Sequence, residues 1–109
     1  MKNQKIVLCI DTGLVPLLSW ASLLNHDNYL IIAAESAREG LDAFDREQIA
    51  LVVLALPIGE LQETIHAIKA RRADVPIVVY LHAASDGLSL VDAFVHHPTK
   101  LLETVQGIL

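Results

Sequence analysis

Apolar residues along this chain follow two alternating patterns. Continuous runs fall at residues 6–10, 29–34, 49–56 and 77–81, with a shorter one over 93–96. Between them, apolar positions recur every three or four residues. A strand with water on one face alternates polar and apolar positions, and these runs do not. Continuous runs suit strands covered on both faces, as in a parallel sheet. The central run, Ala50-Leu51-Val52-Val53-Leu54-Ala55-Leu56, is extended by Ile49 and closed by Pro57. Such sheets hold their sites in the crevice beyond the carboxyl ends of the strands. Here that end carries no acid, hydroxyl, amide or imidazole.

The intervening segments read as helices. The first strand ends at Asp11, and Asp11-Thr12-Gly13 breaks it. A helix is predicted over 14–25, with Pro16 in its first turn, where a missing N–H costs little. Leu17, Ala21 and Leu24 give it a buried stripe, with Trp20 at the stripe's edge. Asn25-His26-Asp27-Asn28 is a turn. Ser36 caps the next helix, and Glu39 completes a capping-box pattern. Ala37, Leu41 and Phe44 form its apolar stripe. Pro57-Ile58-Gly59 reads as a turn before a helix over 60–72, with Leu61, Ile65 and Ile68 on one face and Gln62, Glu63, His66 and Lys69 off it. Asp74-Val75-Pro76 leads into the fourth strand. Residues 82–92 are too few for a full helix plus two loops. Pro98 opens a last helix to residue 109 that aligns Leu101, Val105 and Ile108. Alternating strands and helices imply a parallel sheet with helices on both faces.

At 109 residues, with 53% hydrophobic and 19% charged, the chain reads as a single domain over 1–109. A formal net charge of −5 opposes nucleic-acid binding by this domain alone, because phosphate contacts need a basic patch. The one local basic cluster, Lys69-Ala70-Arg71-Arg72, reads as a solvated helix end. The single cysteine, Cys9, excludes an internal disulfide and reads as an inert buried thiol. No apolar run reaches transmembrane length and no signal-peptide pattern opens the chain, so the default compartment is the cytoplasm. Gly-x-Ser-x-Gly and Gly-Lys-Ser/Thr phosphate loops are absent from the sequence, which argues against an enzyme of those classes. Asp11-Thr12-Gly13 matches the short Asp-Thr-Gly of aspartic proteases, but the strand–helix alternation does not match their all-β fold.

The ordered set of Asp11 ending strand one, Tyr29 opening strand two, Asp74-Val75-Pro76-Ile77-Val78-Val79 entering strand four, and Phe94-Val95-His96-His97-Pro98 resembles a response-regulator receiver domain of the CheY-like family. The similarity runs from Lys5 to Leu109. It implies a flavodoxin-like three-layer α/β sandwich, a five-stranded parallel sheet in the order 2-1-3-4-5, and a shortened fourth helix. Carried over position by position, the magnesium-binding acidic pair reads Asp11-Thr12, so half survives. The phosphoacceptor aspartate is Ala55. The switch hydroxyl that ends strand four is Leu81, or His82 after a slip of one. The lysine that contacts the phosphoryl group is His97, still followed by a proline. Magnesium takes oxygen ligands, usually from more than one carboxylate or phosphate. Alanine has no nucleophile to take a phosphoryl group. The chain therefore resembles a degenerate pseudo-receiver.

The resemblance implies a non-enzymatic signalling module of a two-component or transcription-regulatory system. It would act through a protein partner, an attached output domain or a second copy, with no cofactor, no metal and no membrane contact. Two other readings remain open. One is a small-ligand or metal site in the Asp11/His97 crevice, with His82 as a third ligand. The other is phosphorylation at an unusual acceptor, Asp11 or Glu60. Shortening the fourth helix would expose Val78, Tyr80 or Phe94, or leave Leu88, Leu90 and Val91 as a thin cover. Large uncovered apolar patches mark interfaces, so Leu88, Leu90, Val91 and Phe94 are the interface candidates.

Overall fold

The computed structural model describes residues 5–11, 29–80, 91–95 and 100–109. Strands β1 (Lys5–Asp11), β2 (Tyr29–Ala34), β3 (Ile49–Ala55), β4 (Ile77–Tyr80) and β5 (Ala93–Val95) form one sheet in the order β2-β1-β3-β4-β5. Every pairing is parallel. Helices α1 (Ala37–Arg46), α2 (Ile58–Arg71) and α3 (Leu101–Ile108) complete the described elements. The helix expected over 14–25 and the shortened one in 82–92 fall largely or wholly outside the described residues.

Strand parity divides the core in two. Leu8, Ile10, Val52, Leu54 and Val79 pack on one face with Phe44 of α1 and Leu61, Ile65 and Ile68 of α2. Val7, Cys9, Val53, Ala55, Val78, Tyr80 and Val95 pack on the other with Val105 and Ile108 of α3. Both faces of β3 are thus covered, as its unbroken apolar run predicts. One irregularity interrupts the parity. Ile6 pairs with Ile49 but Val7 pairs with Leu51, so Ala50 is an extra residue in β3. This bulge puts Ile49 on the same face as Val52 and leaves Ala50 half-buried.

Helix α1 starts as predicted, with the Ser36 hydroxyl accepting a 3.1 Å hydrogen bond from the Glu39 amide. Its buried residues are Gly40, Ala43 and Phe44, while Ala37 and Leu41 of the predicted stripe are only half-buried. Helix α2 corrects the expected turn at Pro57-Ile58-Gly59. It begins at Ile58, two residues earlier than read, because Pro57 at φ −57° and ψ 147° serves as its cap and accepts a 2.9 Å bond from the Glu60 amide.

The basic run at the end of α2 also departs from expectation. Lys69 Nζ donates to the Val75 carbonyl at 2.6 Å and to that of Ala73 at 3.3 Å, and lies 3.9 Å from Asp92. Arg71 pairs with Asp45 of α1 at 2.9 Å. Arg72 donates to the Ile49 carbonyl at the bulge, meets Asp74 at 3.4 Å and stacks 5.4 Å above the Phe44 ring. These cations tie α2 to α1, β3, β4 and the start of β5, so the cluster is a set of staples rather than a solvated end. At the entry to β5, Asp92 accepts a 2.7 Å bond from the Ile77 amide and returns one from its own amide to the Ile77 carbonyl at 2.8 Å.

Parity narrows a further expectation. Val78 and Tyr80 are buried on the α3 side. Of the three residues expected to be uncovered, only Phe94 is, at 40% exposed. It is level with Val79, on the α1/α2 side of the sheet. Val91 packs partly against that same core. Leu88 and Leu90 lie outside the described residues.

The close approach of α1 to β1 depends on Gly40. A Cβ added there would overlap the Cδ1 and Cγ1 atoms of Ile10, a side chain with no exposed surface. Overpacking of this kind costs about 1–3 kcal/mol, against roughly 1 kcal/mol gained from alanine's higher helix propensity. Urea denaturation of Gly40→Ala should therefore show a lower midpoint with an unchanged slope. An unchanged or higher midpoint would mean that Ile10 has room to move.

Candidate functional site

The carboxyl ends of β1 and β3 meet where a parallel sheet of this order holds its site. Asp11, the last residue of β1, is paired in register with Ala55, the last of β3. Ala55 is 0% and Asp11 1% exposed, and Leu56 behind them is equally buried. Both Cys9 and Ala55 belong to the core on the α3 side. Leu54 pairs with Val79, so Tyr80 comes level with Ala55, and Val95 pairs with Tyr80. The row across this end therefore reads Asp11, Ala55, Tyr80, Val95. Adjacent strands lie about 4.8 Å apart, so a side chain on Ala55 would touch that of Asp11. Asp11 is one of only two buried polar or charged side chains among the described residues, the other being Thr64.

Of the residues assigned from the resemblance, the structure brings Asp11 and Ala55 together. Thr12, Leu81, His82 and His97 lie outside the described residues. Sequence reading did not assign Tyr80 to this row. The signal was available, since Tyr80 directly precedes the strand-four position under discussion. Among the described residues no three histidine, cysteine, aspartate or glutamate side chains come together as a metal site would need. Glu60, the other acceptor considered, is exposed in the first turn of α2.

Cys9 lies two residues before Asp11 and is fully buried. Burial pushes its thiol well above the usual cysteine range, and the neighbouring Asp11 charge adds to the effect. A thiol held protonated inside the sheet is a weak nucleophile and a poor redox sensor.

No family model matches the sequence, and none of the curated proteins matches it. Comparison of folds is decisive. The chain superposes on the chemotaxis protein CheY4 of Vibrio cholerae with a TM-score of 0.85 at 18% identity, covering 97% of this chain and 99% of that one. It superposes on a CheY-like receiver domain protein from Methanospirillum hungatei with a TM-score of 0.82 at 24% identity, covering 96% and 93%. The response regulator TrrA of Thermotoga maritima, solved in complex with Mg(2+)-BeF, gives 0.82 at 25% identity over 97% and 100%. The chain has the fold of a CheY-like receiver domain. In this fold Asp11 and Ala55 stand side by side at the carboxyl edge of the sheet.

Introducing a second carboxylate tests this geometry. In Ala55→Asp two adjacent buried acids repel, which raises the folded-state pKa of the pair above its unfolded value. The penalty is then full above the raised folded pKa and shrinks as pH falls and a proton binds. The variant should lose stability at pH 7, lose less at pH 4, and recover part of the loss in millimolar magnesium. Equal loss at both pH values, with no effect of magnesium, would show that the two side chains do not face each other.

Proposed function

We propose that this chain is a receiver-fold signalling module that does not use aspartyl phosphorylation and that acts through protein contacts. The observation that carries the reading is Ala55, fully buried at the end of β3 and paired with Asp11. That position offers no nucleophile to a phosphoryl donor. Asp11 alone gives a hard cation one protein carboxylate, where magnesium takes about six ligands in all. A metal-binding reading therefore has one described ligand, and the module reading accounts for the whole fold.

Protein contact is supported by the β5 edge. β5 is a three-residue strand at one end of the sheet, and among the described residues it pairs only with β4. Its central residue, Phe94, is one of two large hydrophobic side chains exposed among the described residues. An exposed aromatic ring on a terminal strand of the sheet is a place for a second copy or an output domain to dock. No helix among the described residues is long and apolar enough to cross a membrane.

Two measurements test the reading. Acetyl phosphate, or beryllium fluoride with magnesium, should leave the backbone NMR spectrum unchanged, and saturable shifts around Ala55 and Leu81 would sink it. The second measurement is sedimentation at several concentrations, comparing the wild-type chain with Phe94→Glu, Leu88→Glu and Leu90→Glu. Wild type should associate, and Phe94→Glu should shift it toward monomer while keeping its fold. A wild-type chain that stays monomeric and unchanged in every partner assay would leave the β5 edge without a role.

A further inference from the structure

Continuous apolar strands are expected to be covered on both faces, and one strand of this sheet is not. β2 reads Tyr-Leu-Ile-Ile-Ala-Ala, as apolar as the buried β3. Yet Leu30 is 48% exposed, Ala33 is exposed, and Tyr29, Ile31 and Ile32 are only half-buried. β2 is the terminal strand on the side away from β5, and among the described residues its one neighbouring strand is β1. At six residues it is twice the length of β5. In a strand paired on one side, alternate residues turn their N–H and C=O groups away from the neighbour. Sheet edges are normally guarded by a lysine, a proline, a bulge or a very short strand. β2 has no charged residue and no proline, and its register with β1 runs unbroken from Tyr29 to Ala34.

Charge and register point to the occupant. A strand without charge gives an acidic or basic partner nothing to pair with, whereas a second copy brings a strand equally free of charge. Two edge strands related by a two-fold axis run antiparallel. Side chains keep to their own face of the joined sheet only if the axis passes through a residue, here Ile31 or Ile32. An axis at Ile32 sets Tyr29 opposite Glu35. An axis at Ile31 makes every facing pair apolar: Ile31 meets itself, Leu30 meets Ile32 and Tyr29 meets Ala33.

We propose that the β2 edge pairs with the β2 edge of a second copy, antiparallel and centred on Ile31, so that two sheets become one. Both faces of β2 then gain cover. Leu30 and Ile32 stand on the α1/α2 side, level with Ile6 and Leu8, and Ala33 stands on the α3 side, level with Cys9. The contact goes beyond the signalling role proposed above and depends on neither Ala55 nor the β5 edge. Each copy carries a formal net charge of −5, so an apolar contact between them should tighten as salt screens the repulsion, the reverse of an ion-paired interface.

The test is sedimentation equilibrium of the wild-type chain and of Phe94→Glu, which disables the β5 contact. Phe94→Glu should still dimerise reversibly as concentration rises, and more tightly at high than at low salt. Adding Leu30→Lys or Ala33→Lys, at exposed positions, should leave it monomeric with an unchanged circular dichroism spectrum. Should those variants fail to fold, cysteines read the register directly. Residues facing each other across the axis lie about 5 Å apart at Cα, within disulfide reach, and Leu30 lies about 8 Å from its own copy, beyond that reach. Ile31→Cys should therefore cross-link on mild oxidation and Leu30→Cys should not, with the native Cys9 fully buried and out of the reaction. A monomer at every concentration, a dimer that survives in the folded lysine variants, one that weakens with salt, or cross-linking through Leu30→Cys would overturn the contact. A Phe94→Glu chain that dimerises as tightly as wild type supports it and takes self-association away from β5.

Discussion

A strand buried on both faces has no solvent for a polar side chain, and whatever stands on it must be apolar or must bring its own partner. β3 runs between β1 and β4 with Leu51 to Ala55 fully buried between the two halves of the core. Each buried leucine or valine there contributes about 1.5–3 kcal/mol. A lone carboxylate in the same place would cost several kcal/mol unless a cation or a fixed set of donors met it. The identity of the last residue of β3 is therefore a choice between two conditions. An acid makes the end of the sheet a cation site whose stability depends on occupancy. Alanine makes it part of the core. With Ala55 the chain takes the second course, and Asp11 remains as the charged residue of the row.

The same central strand dictates how the amino-terminal end is held. The extra residue at Ala50 shifts β3 against β1, and the carbonyl of Ile49 beside it is met by the Arg72 side chain. That guanidinium also covers Phe44 and reaches Asp74, so one residue joins α1, β3 and the loop into β4. Lys69 does the equivalent for β4 and β5 through the Val75 carbonyl and Asp92. The Lys69 side chain is largely shielded, at 15% exposed, so its contacts are screened less than those of a surface pair. These contacts of Lys69 and Arg72 lie toward the end of the sheet opposite Asp11 and Ala55.

The sequence made the sheet legible because continuous apolar runs have few alternatives. The bounds of β2 agree with the reading residue for residue, and those of β1 and β3 agree within one residue. The same continuity hid the parity of β4. When every position is apolar, nothing in the residue types says which of Val78, Val79 and Tyr80 faces which layer, and the reading could not choose among Val78, Tyr80 and Phe94 as the exposed residue. The start of α2 was missed for a different reason. Proline and glycine at 57 and 59 have turn statistics, but a proline can cap a helix whose first turn tolerates glycine. The partners of Lys69, Arg71 and Arg72 were unreadable because they are set by tertiary neighbours, with Asp45 twenty-six positions from Arg71. The Asp11–Ala55 pairing was readable only through the family resemblance.

An alanine at the end of β3 also constrains how such a module could be switched. In a phosphorylated receiver the covalent group supplies the free energy that favours one conformation. Under the function proposed above, a binding partner has to supply it instead, and a partner can shift an equilibrium by no more than its differential affinity for the two states. Moving a population from 1:99 to 99:1 takes about 5.5 kcal/mol of that difference. A single millimolar contact is worth about 4 kcal/mol in total, so it cannot supply such a shift alone. A partner of the proposed module that engaged the exposed Phe94 ring together with a second surface would combine their energies through effective concentration. Under the proposed function, the input to the module would be the local concentration of a partner large enough to engage more than one surface.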